Sequence, residues 1–317
     1  MANLTVTKYT TIELKEASES SMPAGIGVFL STFNILLSIA ASLDNALILV
    51  ALRKETSLHP PTKLLFRCLA ITDLCVGVIS QPPHVVTLLS SVTTGMNKQV
   101  IHYLQRLSTT SSCVLSQIST YTSSAISVDR LLALLSGLTN RQVVTLPRVR
   151  AVIACFWLIG ISVGTISFWN AYIAITAGFS LTIISVTTSV FCYSTIYVKL
   201  RQYRPQVFPL TQGKPNGRKL PLNIARYKNS VSSAIWVQVN LVTCYIPFSV
   251  VIMLMMYGQI PRSQNEIAVA FTATLIYLNS SLNPILYCWK IRSVRQAGKD
   301  TIKQLNCRKS DQILRCS

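Results

Sequence analysis

The chain has 317 residues, 50% of them hydrophobic and only 12% charged, with a mean hydropathy of +0.45. Soluble domains carry roughly 25% charged residues, so a water-soluble fold of this length could not hide so much apolar surface, and the bilayer is the natural solvent. The formal net charge of +19 does not mark a nucleic-acid binder, because the basic residues fall on alternate connections between apolar stretches.

Residues 1–25 hold Glu13, Glu16 and Glu19 and no apolar run, so they are not read as a cleavable signal peptide. They also hold the sequon Asn3-Leu4-Thr5, a glycosylation acceptor that would place them outside the cell. Seven apolar stretches follow, at 26–52, 62–89, 99–135, 148–168, 171–203, 225–257 and 266–289. Each reaches the ~20 residues needed to cross ~30 Å of hydrocarbon. The longer ones imply tilt or extension beyond the membrane. Lipid offers no partner for backbone groups, so the spans are predicted to be helices. The least marked gap is at Trp169-Asn170-Ala171.

The connection 204–224 contains Pro205, Pro209, Gly213, Pro215, Gly217 and Pro221, which argues against a continuous helix and for a flexible loop. After the seventh span, Ile291, Val294, Ile302 and Leu305 alternate at helical spacing with Lys290, Arg292, Arg295, Lys299 and Lys303. That pattern suits a helix lying in the interface with its basic side on anionic lipid. Cys307 just beyond it is a candidate for palmitoylation or an ordinary exposed thiol. The other cysteines fall in the spans or, for Cys316, in the tail, so no extracellular disulfide framework is expected.

Only Lys8, Lys15, Lys98, Arg106 and Arg262, of 29 basic residues, lie on the side opposite the basic loops. The positive-inside rule then puts the N-terminus outside and the tail in the cytoplasm, which requires an odd number of spans. The expected fold is an all-α membrane protein: residues 1–25 an extracellular segment, 26–289 a seven-transmembrane helix bundle, 290–317 a short interfacial helix and cytoplasmic tail.

Two costly features lie within the spans. Asp73 sits midway along the second, and Asn283-Pro284-Ile285-Leu286-Tyr287 closes the seventh. Polar groups at that depth must face partners inside the bundle and mark function by default. A lone buried carboxylate either holds a proton or finds a cation. Pro247 and Pro284 each remove a helix hydrogen bond and bend their spans. Asn283 and Tyr287, four apart, share a face. Kinked helices beside a buried carboxylate make a bistable element, which a ligand biases only if it binds one state better. At the inner end of span three, Arg130 can pair with Asp129 in one state and with a cytoplasmic partner in another, or serve as a positive-inside anchor.

Asp44-Asn45 in span one, Leu69–Leu74 around Asp73 in span two, Ser127-Val128-Asp129-Arg130-Leu131 in span three, Trp157 in span four, Cys244-Tyr245-Ile246-Pro247 in span six and Asn279–Tyr287 in span seven occur in this order. In that order the chain resembles the rhodopsin-like (class A) G-protein-coupled receptors over nearly its whole length. The resemblance implies a multi-pass plasma-membrane receptor that couples an extracellular ligand to a heterotrimeric G protein, with arrestin a further partner. It implies a switch made of Asn45, Asp129, Arg130, Tyr193, Pro247, Pro284 and Tyr287. It also implies an allosteric sodium ion at Asp73, Ser119, Asn279, Ser280 and Asn283, whose oxygens suit a hard cation; no other cofactor is expected. The alternative at Asp73 is a protonated carboxyl bonded to Asn45 and Asn283.

The departures from the family pattern are informative. Leu131 replaces the usual Tyr, Tyr245 the usual Trp and Gln105 the usual disulfide cysteine, and no proline stands near Ser185. Tyr227, between Arg226 and Lys228, occupies the place of the acidic residue that closes an ionic latch, so raised basal activity is expected. Asp44 has no explanation. Ser112 stands where amine receptors carry Asp and Tyr277 where opsins carry Lys, so neither aminergic nor light-sensing function is expected. The matching pocket, Ser112, Cys113, Ser116, Gln117, Tyr245, Ile252 and Tyr277, is neutral and suits a neutral small molecule or a lipid. His84, His102 and Arg106 are placed nearer the mouth, as anion contacts or as interfacial packing. The other readings are a non-signalling scaffold or decoy receptor and a transporter, although the repeats and broken helices of a transporter are not seen. No catalytic or metal motif points to an enzyme.

Overall fold

The computed structural model describes residues 22–54, 58–90, 93, 95–135, 144–207, 220–256, 258 and 262–290. These form seven helical spans: α1 (Ala24–Lys54), α2 (Pro60–Ser90), α3 (Lys98–Leu135), α4 (Leu146–Trp169), α5 (Ala171–Val207), α6 (Leu220–Met256) and α7 (Arg262–Lys290). Among the described residues there is no strand. The bundle is inside-out relative to a soluble protein. Asn34, Asn45, Thr72, Asp73, Gln81 and Asn283 are buried, whereas Leu43, Leu158, Phe191 and Trp169 (76% exposed) point outward. Such an apolar surface is a liability in water and is what hydrocarbon requires.

α1, α2, α4, α5 and α6 are long and apolar enough to cross a membrane by length and composition. α3 and α7, which pack among the others, are more polar. In α3, Ser111, Thr120, Thr122 and Ser127 each donate to the carbonyl four residues back. A hydroxyl satisfied within its own helix can enter the interior at little cost. α4 approaches α3 closely because Gly160 has no side chain: a Cβ there would lie 2.9 Å from Ile118 Cγ1.

α2 holds a feature the sequence reading missed. Its regular helix runs to Cys75, widens into a π turn at Val76–Ser80, and resumes at Gln81–Ser90. Gln81 alone separates the turn from Pro82-Pro83, two residues with no N–H to offer the ladder. The Gln81 N–H bonds the Val76 carbonyl, five residues back. The Gly77 carbonyl is thereby released, and Ser38 Oγ of α1 donates to it at 2.7 Å. Ser108 Oγ of α3 caps the Ser80 carbonyl at 3.0 Å. α1 thus supplies a donor to the released Gly77 carbonyl, and α3 adds one to Ser80.

The faint gap at residue 170 is a real break one residue long. Asn170 adopts φ −150°, ψ 94°; its N–H bonds Ile166 O and ends α4, while its Oδ1 accepts the Ile173 N–H at 3.1 Å and caps α5. The expected loop at 204–224 is corrected at both ends. α5 continues through Pro205 to Val207, and α6 starts at Leu220 with Pro221 in its first turn, where a missing N–H costs nothing. The expected interfacial helix, Cys307 and Asn3 lie outside the described residues.

Candidate functional site

The polar interior forms three tiers. The middle tier follows from one proline. Pro284 has no N–H, so the Ser280 carbonyl four residues back is left open in α7. Asn45 Nδ2 of α1 donates to it at 3.1 Å, as well as to Ala41 O at 2.8 Å. Asn45 therefore bonds α7 rather than Asp73, against the alternative reading of the carboxyl. Asn283 Nδ2 donates to Asp73 Oδ2 at 2.8 Å, and the Ser280 hydroxyl stands beside the same fully buried carboxylate. Asp73 Oδ1, Asn283 Oδ1, Asn45 Oδ1 and Ser119 Oγ are buried without a protein partner. These are hard oxygen donors, so the residues fit a small cation. Asn279 differs from expectation: its Oδ1 accepts Asn240 Nδ2 of α6 at 2.9 Å.

In the inner tier, Arg130 (9% exposed) reaches Asp129 Oδ2 at 3.4 Å, and Thr62 Oγ1 of α2 donates to the same oxygen at 2.8 Å. Ser127 Oγ lies 2.8 Å from the Tyr193 hydroxyl of α5 and is hydrogen-bonded to it. Ser123 Oγ donates to Gln238 Oε1 of α6 at 2.9 Å. Tyr193 packs in an apolar cluster with Leu65, Phe66, Leu69, Ile126, Leu131 and Ile196. The Tyr287 side chain lies outside the described residues.

In the outer tier, the seven expected pocket residues divide. The Tyr277 hydroxyl is within 2.9 Å of Ser112 Oγ and 3.1 Å of Ser108 Oγ. Ser116 and Thr120 lie against the Tyr245 hydroxyl. Gln117 turns toward α5, with Nε2 donating to Gly178 O and Thr182 Oγ1, both at 3.3 Å. Cys113 and Ile252 are half-buried. His84, expected nearer the mouth as an anion contact or as packing, packs its ring on Tyr277, with centroids 5.0 Å apart and a 54° tilt. The sequence reading also missed Gln81, Gln238 and Asn240. An amide inside an apolar span was the available signal.

Seven helices with a polar interior, a proline-opened carbonyl in α7 and a central carboxylate make a seven-helix membrane bundle. The family model of the 7 transmembrane receptors (rhodopsin family) matches residues 44–169 and 163–287, and the chain belongs to that family. A crystal structure of squid rhodopsin has the same fold: TM-score 0.75 at 16% identity, covering 90% of this chain and 87% of that one. The protein is therefore an integral membrane receptor with a signalling role.

Proposed function

We propose that this receptor passes the binding of a neutral extracellular small molecule or lipid to a cytoplasmic heterotrimeric G protein, in the plasma membrane with its N-terminus outside. The observation that carries the reading is the tie between hinge and carboxylate. Asn45 holds the carbonyl that Pro284 opens, and Asn283, the residue before that proline, holds Asp73. A change in the bend of α7 must break or remake both bonds, so a ligand that favours one bend is felt at mid-membrane. Arg130, paired with Asp129 at the inner end of α3, is the group released toward the G protein, and arrestin would read the same released state. A sodium ion would be held by Asp73, Ser119 and Asn283, with Ser280 beside it. It would supply the positive charge the carboxylate lacks. The neutral ligand class follows from the hydroxyls of Ser112, Ser116, Tyr245 and Tyr277.

The test is nucleotide exchange by a G protein reconstituted with the purified receptor. Exchange above that of receptor-free vesicles, raised further by a member of a neutral and lipid library, is expected. No acceleration across G-protein subtypes and library would replace this reading with the non-signalling scaffold.

A further inference from the structure

Asp73 and Asp129 are buried and bonded inside the bundle. Asp44 of α1 is neither. It is half-buried and makes no hydrogen bond or ion pair among the described residues. Arg53 and Lys54 close α1 in its last turn. Asp44 stands nine residues before Arg53, about 14 Å along the helix at a rise of 1.5 Å per residue. That is about half of the ~30 Å of hydrocarbon. Lysine and arginine reach headgroups on long stems, and aspartate, with its short side chain, does not. Charged groups within spans almost always face the interior of the bundle or a partner. The face beside Asp44 is built like a seam. Leu36, Ile39, Leu43, Ala46 and Val50 are all exposed. They recur every three or four residues, the spacing with which one helix packs along another. α1 packs on α2 and α7, so this stripe lies on the rim of the bundle. Ala40, one turn before Asp44, is a small residue that lets a neighbouring backbone come near.

We propose that this face of α1 docks a transmembrane helix of another membrane protein, one that carries a lysine or arginine at mid-span opposite Asp44. The argument is charge complementarity. A lone carboxylate and a lone basic group are each costly in hydrocarbon, and side by side each offsets part of the other's cost. Lipid offers no such partner at this depth, because its charges sit at the headgroups. A second copy of this chain is the poorer occupant. A two-fold contact through this face sets Asp44 against Asp44, and like charges disfavour each other. The apolar seam from Leu36 to Val50 gives shape but little preference, since lipid tails are as apolar as leucine. The carboxylate therefore decides which helix docks. This inference goes beyond the signalling reading and does not rest on it.

The test is energy transfer between the labelled full-length receptor and synthetic transmembrane peptides in phosphatidylcholine vesicles. The peptides are leucine–alanine helices with Lys, Leu or Glu at the central position. The Lys peptide should bind saturably and about tenfold more tightly than the Leu peptide, the size of a polar contact between model membrane helices. The Glu peptide should bind no better than the Leu peptide. Asp44→Leu should lose the preference for Lys and, because it removes a lone charge from lipid, should fold as well as wild type. If Asp44→Leu does not insert, Asp44→Asn, which keeps the size of the side chain, carries the same comparison. Asp44→Lys should reverse the preference and take the Glu peptide. Equal binding of the Lys and Leu peptides, or a Lys preference undiminished in the Asp44 variants, overturns the docking site. Transfer between two labelled wild-type receptors that Asp44→Leu abolishes gives the face to a second copy and overturns the proposed partner. The readout needs neither ligand nor G protein, so its failure and the failure of the signalling reading are separate results.

Discussion

The inner and outer halves of the bundle use the same residue types differently. In the inner half, side chains bond across helices: Thr62 to Asp129, Ser123 to Gln238, Ser127 to Tyr193, Asn240 to Asn279. In the outer half, Asn34 bonds Thr274 and Tyr277 bonds Ser108 and Ser112 across helices as well, but both amide atoms of Gln81 and the Nε2 of His84 are left without protein partners. Bonds that close on themselves hold one arrangement of helices. Groups that do not close are available to something else.

The sharpest way to break this contrast is at Arg130. Arg130→Ala should abolish agonist-driven nucleotide exchange at matched surface level, because the released guanidinium is the proposed contact with the G protein. Unchanged exchange would remove the inner half from signalling. Next in size is Asp73→Asn. In wild type, agonist affinity should fall as sodium replaces a bulky cation at constant ionic strength, by a factor of about 5–150, the usual range of allosteric coupling, and the loss is reciprocal. Fixed ionic strength matters, because surface charge also responds to salt. The Asn variant should show no sodium dependence; equal responses would return Asp73 to the protonated reading.

A smaller effect is expected at the α3–α6 tie. Ser123→Ala leaves Gln238 Oε1 buried and unpaired, a loss of about 1–3 kcal/mol. Ligand-free exchange should rise several-fold as α6 is loosened, and unchanged basal exchange would make the tie structural only. The smallest effect is at the π turn. Ser38→Ala removes the donor on the Gly77 carbonyl, and hydrogen bonds between membrane helices average about 0.6 kcal/mol. A drop of a few degrees or less in unfolding midpoint, with sodium response and exchange intact, is expected.

All seven spans were legible, because lipid demands long apolar helices and the sequence cannot disguise them. Their ends were less so: Val207 and Leu220 extend helices into a segment whose prolines suggested a loop, yet Pro221 sits in a first turn, where proline is welcome. The Asp73–Asn283 contact was foreseen, since two polar groups at one depth have few partners to choose from. The partners of Asn45 and Asn279 were not. Helical periodicity says which face a residue occupies, but not which neighbour an amide on that face will choose. The π turn had a visible cause in Pro82-Pro83, but its two donors, Ser38 and Ser108, come from other helices and have no local signature.

The one-residue link at Asn170 has a mechanical consequence. α4 is seated on α3 at Gly160, α5 is fastened to α3 through Gln117, and Asn170 leaves no slack between their outer ends. These three helices are expected to act as a stator. α6 and α7, which contain the internal prolines Pro247 and Pro284, are the expected rotor. Spin labels on the outer ends of α4 and α5 should keep a fixed separation on activation, while a label on α6 moves against both.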